Sequence, residues 1–94
     1  MNTADMPHIT RHAAQRFAER CGGLDIGAEW YGSRRAGKKT KQKIRDRCPG
    51  HAHLMVGRQY LGYWYGVSKA RVVFVVDGAR NAIVTVFRLP GEGE

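Results

Sequence analysis

Residues 71–89 read RVVFVVDGARNAIVTVFRL, two runs rich in β-branched and aromatic residues split by Asp77-Gly78-Ala79-Arg80-Asn81. Runs of this kind suit the pleated, half-buried surface of a sheet, and the short polar insert is a hairpin connection. Arg71 to Asp77 is the more apolar run and is expected at the centre of the sheet. Moving outward, HLMVG (residues 53–57) and RQYLGYWYGV (58–67) add two further strands, since the period changes from helix to strand after Gly50. Short loops between all four predict an antiparallel meander.

Upstream, Ile9 to Cys21 has helical spacing, with Thr10 as N-cap and Gly22-Gly23 as the stop. At 100° per residue Ile9, Ala13, Ala14, Phe17, Ala18 and Cys21 share one apolar face. Residues 24–36 (LDIGAEWYGSRRA) hold Leu24, Ile26, Trp30 and Tyr31 for docking, but Gly27 and Gly32 shorten any helix to an irregular one. The expected architecture is α+β: one or two N-terminal helices packed on one face of a four-stranded antiparallel sheet. Residues 1–94 form one domain, with 1–8 as a loose tail.

The composition excludes several classes. No stretch approaches the roughly 18 apolar residues of a membrane helix, so no membrane partner is expected. The opening MNTADMPHIT lacks an apolar signal core, and two cysteines are too few for a disulfide scaffold, which together predict a cytoplasmic protein with reduced thiols. A glycine-rich phosphate loop, a carboxylate pair and a nucleophile elbow are all missing, so no cofactor is expected. Cys48, His51 and His53, with Cys21 remote from them, offer thiolate and imidazole ligands. Their C-x₂-H-x-H spacing matches no common zinc arrangement, and no metal site is assigned.

Charge is the outstanding feature. Sixteen Lys and Arg against eight Asp and Glu give a net charge of +8. Arg34, Arg35, Lys38, Lys39, Lys41, Lys43, Arg45 and Arg47 stand against Asp46 alone, so residues 34–47 carry +7 and the remainder +1. Such a one-sided run, read as a solvated loop or a frayed basic helix, neutralises phosphates and releases counterions. RNA is the favoured partner.

Two other groupings bear on chemistry. His12, Arg16 and Arg20 follow at i, i+4 and i+8 along the flank of the first helix. An imidazole can take the 2′-hydroxyl proton of RNA, and guanidiniums can hold the scissile phosphate. Tyr60, Tyr63, Trp64 and Tyr65 cluster on one strand; Tyr63 is a candidate for stacking on unpaired bases.

The helix HITRHAAQRFAERCG, followed after a variable middle by RVVFVVDGARNAIVTVFRL, resembles small phage- and toxin-associated proteins of the barnase–EndoU–colicin–RelE type. The His-Ala-x-x-Arg element is His12-Ala13-Ala14-Gln15-Arg16, and the closing I-V-T-V-F strand is Ile83 to Phe87. The resemblance covers about 40 of the 94 residues. It implies helices on a four-stranded sheet and a metal-independent ribonuclease of a toxin–antitoxin or phage system. His12 would be general acid or base, Arg16 the phosphate clamp, Thr85 a positioning hydroxyl and Arg88 a further phosphate contact. The middle of the chain, with its lysine run, has no counterpart there.

Three readings follow. The first is a metal-independent endoribonuclease using His12, Arg16 and Thr85. The second is a non-catalytic nucleic-acid binder. The third is a phage-encoded, anti-CRISPR-like inhibitor whose basic run occupies an acidic groove on a host defence protein. An antitoxin partner belongs to the first.

Overall fold

The computed structural model describes residues 6–48, 50 and 62–89. The expected strand at residues 53–57 lies outside them. Three long strands form the antiparallel meander read from the sequence: β3 (Tyr63–Val67), β4 (Val72–Asp77) and β5 (Ala82–Arg88). Two short pieces complete the sheet, β1 (His8–Ile9) and β2 (Arg34–Arg35), in the order β1-β5-β4-β3-β2. The sheet is therefore five-stranded and mixed. β1 runs parallel to β5, with His8 opposite Ala82 and Ile9 opposite Ile83, and β2 pairs antiparallel with β3.

Within the loose tail expected over residues 1–8, residues 6–8 are held in place, and residues 1–5 lie outside the described residues. Pro7 is buried, Met6 packs against the core, and His8 donates from its amide to the Asn81 carbonyl at 2.9 Å. Thr10 then both ends the strand and starts the helix. Its Oγ1 accepts from the Ala13 amide at 3.1 Å and donates to the Ile83 carbonyl at 3.0 Å. The N-cap thus pins α1 (Arg11–Arg20) to β5. Cys21 closes α1 through its amide to the Phe17 carbonyl, and Gly23 supplies the positive φ of 91° that turns the chain. α2 (Ile26–Tyr31) is capped by Asp25, whose Oδ2 accepts from the Ala28 amide at 2.9 Å.

The helices do not share one face. Ala13, Phe17, Cys21 and Trp30 from α1, its end and α2 pack on Val72, Phe74, Val76, Ile83 and Val86. Trp30 meets Phe74 edge-on, with ring centroids 5.4 Å apart, and lies 5.6 Å from Trp64. On the opposite face α3 (Lys38–Arg47) sets Ile44, with Ala36 and Cys48 beyond its ends, over Tyr65, Val73, Val75 and Phe87. The result is three layers, helix–sheet–helix. Every residue of β4 is buried because both its faces are covered, so its apolar run is continuous rather than alternating. Residues 34–47, expected as a loop or frayed helix, are an edge strand followed by a helix that forms one of the layers.

Candidate nucleic-acid interface

α3 is built from strong helix formers (KKTKQKIRDR) with no glycine or proline inside. Ile44 is its only buried residue. With Ile44 inward and 100° per residue, Gln42 and Asp46 lie on the outermost line. Lys38, Lys41 and Arg45 then fall to one side and Lys39, Lys43 and Arg47 to the other. The one acid is engaged internally: Gln42 Nε2 donates to Asp46 Oδ1 at 2.9 Å. Both flanks of the helix are cationic.

The helix start is equally one-sided. Its N-cap is Gly37, which makes no side-chain capping bond, and its first turn holds no acid. Lys38 and Lys39 stand at the positive end of the helix dipole, an unfavourable placement that an incoming anion would relieve. The edge strand β2 extends the charge. Arg34 lies opposite Val67 and Arg35 opposite Gly66. Following the pairing into β4, Arg34 shares the α3 face with Val73, whereas Arg35 shares the other face with Phe74. There its guanidinium sits 5.4 Å from the Trp64 ring centre. Both arginines are exposed.

The residues assigned to catalysis are not brought together. His12 is exposed on α1. Arg16 Nη1 is paired with Glu19 Oε1 at 2.6 Å, and Arg20 Nη1 donates to the Val86 carbonyl at 3.1 Å. Thr85 is 8% exposed and pairs with Val75, so it faces α3 across the sheet from α1. A β-bulge is the cause. Val75 pairs with Thr85 but Val76 pairs with Ile83, leaving Val84 as the extra residue. Simple alternation from Ile83 would have put Thr85 on the α1 face; the inserted residue turns it to the other. The cluster His12, Arg16 and Thr85 expected from the resemblance is thereby corrected.

Of the aromatic cluster, Tyr60 lies outside the described residues, and the other three pack on the core. Tyr65 is 2% exposed, Tyr63 is half-buried against the same α3-side core, and Trp64 packs on the α1 side. Tyr63 therefore commits part of its ring to the core. Cys21 and Cys48 are free and buried on opposite sides of the sheet, and burial pushes both thiols up from their ordinary range. His51 and His53 lie outside the described residues. Among the described residues no group of three His, Cys, Asp or Glu is placed to hold a metal ion, and no helix is long and apolar enough to cross a membrane.

The pairing also gathers cations that the sequence separates. Val72 opposes Arg88, and Arg88 Nη2 donates to the Ala70 carbonyl at 3.0 Å. Lys69 and Arg71 flank Ala70 at the tip of the β3–β4 hairpin, and Arg34 lies opposite Val67 just before it. Lys69 and Arg71 stand apart from the basic run in sequence, and only a hairpin at Ser68–Arg71 would have pointed to them. Comparison of the chain with protein-family models, curated proteins and solved structures yields no match.

Proposed function

We propose that this protein binds nucleic acid through its phosphate backbone, with α3 and the edge residues Arg34 and Arg35 as the grip. One observation carries the reading: α3 commits a single residue, Ile44, to the core and carries six cations along its two flanks, with Lys38, Lys39, Lys43 and Arg45 exposed. Charge so concentrated steers a polyanion and neutralises it in a sequence-tolerant way. The helix and closing strand that resemble those of RNA-acting proteins make RNA the first ligand to test. Binding without cleavage is favoured, because Thr85 faces away from α1 and Arg16 and Arg20 are engaged by Glu19 and the Val86 carbonyl.

The test is titration of a fluorescent RNA oligonucleotide by anisotropy across a sodium chloride series, in EDTA, with the RNA then run on a gel. Intact RNA and an affinity that falls steeply and log-linearly with salt are expected. Salt-insensitive binding, or none, refutes the reading. Retention of an acidic host protein after nuclease treatment would favour the inhibitor reading in its place, and cleavage in EDTA would favour the enzyme.

A further inference from the structure

The β3–β4 hairpin closes through Ser68, whose amide donates to the Val72 carbonyl at 3.0 Å. The Arg71 amide in turn donates to the Ser68 carbonyl at 2.9 Å. Ser68 Oγ accepts from the Val72 amide at 3.2 Å and donates to Glu29 Oε1 at 2.8 Å, which fixes the base of the turn. Lys69, Ala70 and Arg71 form the tip. Arg71 has φ of 66°, the left-handed conformation in which hairpins of this length ordinarily place glycine. An arginine is held there at a conformational cost that glycine would avoid, and costs of this kind collect where a side chain is used.

The surroundings of the tip are cationic. Arg88 reaches to the Ala70 carbonyl from the α1 side of the sheet, and Arg34 borders the hairpin from the α3 side. All four of Arg34, Lys69, Arg71 and Arg88 are exposed. Glu29 faces the same turn, but it is half-buried and occupied by Ser68. No other acid of the described residues is hydrogen-bonded to the turn.

We infer that Lys69 and Arg71 at this tip, with Arg34 and Arg88 beside them, are a second phosphate-contact patch that carries the nucleic-acid footprint around the end of the sheet. The inference rests on the phosphate grip proposed above and deepens it. Arg34 is the joint: it belongs to the basic run in sequence and to the hairpin end in space. The patch wraps the sheet because Arg34 and Arg88 point to opposite faces while Lys69 and Arg71 occupy the edge between them.

The experiment uses the full chain with Lys69→Ser and Arg71→Asn combined, since asparagine tolerates the left-handed conformation. Arg80→Ser is the control, a cation with 83% side-chain exposure at the opposite hairpin. The probe is a labelled 20-nucleotide single-stranded RNA, read by anisotropy across a salt series. The double variant should flatten the slope of log affinity against log salt by about 1.4, two contacts at roughly 0.7 each, while Arg80→Ser leaves it unchanged. If the double variant binds as the parent does, the hairpin lies outside the footprint and the α3 grip stands alone. A flattening of about 0.7 by Arg80→Ser, the share that one of the two charges would carry, would reduce the patch to a net-charge effect and overturn the inference. A parent protein that fails to bind RNA removes both the inference and the reading beneath it.

Discussion

Lys38→Glu with Lys39→Glu should make the protein more stable and a worse binder at once. Both lysines are exposed in the first turn of α3, where the N-cap makes no side-chain bond and no acid offsets the dipole. Charges near a helix terminus are worth about 0.3–1 kcal/mol each, so replacing two repelled cations by two attracted anions should gain about 1 kcal/mol at moderate salt. In a domain of this size that raises the melting temperature by about 4–8 °C. For binding, losing two phosphate contacts lowers the salt slope by about 1.4 on single strands and 1.8 on duplex. Relative to a 1 M reference, that is a loss of about 25- to 60-fold at 0.1 M salt. Thermal unfolding and anisotropy on one preparation read both effects. An unchanged slope beside a raised melting temperature would mean that these cations only solvate the surface. A lowered melting temperature would mean that the start of α3 is not where its dipole argues.

Ile44→Ala should cost about 3 kcal/mol, since Ile44 is fully buried and is the one residue that α3 sends into the core. Hydrogen exchange should then quicken in α3 before the sheet, and uniform loss of protection would contradict this. Burial, with a smaller contribution from Tyr63, pushes the Tyr65 phenol from 10 up to about 12, and its hydroxyl has no hydrogen-bond partner among the described residues. The unfolded chain therefore releases this proton first, so stability is level below pH 10 and falls by roughly 2–3 kcal/mol as pH rises through about 12. Tyr65→Phe should abolish that part of the decline and be neutral or up to about 1 kcal/mol more stable at pH 7; urea unfolding at pH 7 and 11 that shows the same loss in both proteins would refute it. Arg71→Gly should gain about 0.5–1 kcal/mol by relieving the left-handed conformation, and a lower midpoint of thermal unfolding would be the contrary result.

The features legible in the sequence were those with a strong local period. Ala13, Phe17 and Cys21 at helical spacing gave α1, and the apolar run from Val72 to Val76 gave the central strand. What escaped depends on contacts distant in sequence. β1 pairs with β5 across more than 70 residues, as the 73-residue separation of the Thr10–Ile83 bond records, and two residues carry no strand signal alone. α3 was obscured because helices are read from an apolar stripe, and this one has only Ile44; its propensity was the better guide. The bulge at Val84 is invisible in IVTVF, yet it alone decides which face receives Thr85. A motif match over a strand thus transfers residue types but not their direction.

The same geometry sets how grip and helix stripe relate. α3 and α1 lie on opposite faces of the sheet, so a strand held on α3 reaches the α1 side only around an end of the sheet. At the hairpin end it would pass Arg34, then Lys69 and Arg71, and arrive beside Arg88, with Arg20 anchored two residues back at the Val86 carbonyl. His12 stands eight residues before Arg20 on the same helix, about 12 Å further. It therefore occupies the far end of any such path. His12→Ala should leave affinity for a short RNA within twofold of the parent, while Lys38→Glu with Lys39→Glu lowers it about 25-fold. A loss at His12 comparable to that at Lys38 and Lys39 would move the footprint to α1 and revive His12 as a residue that touches the ligand.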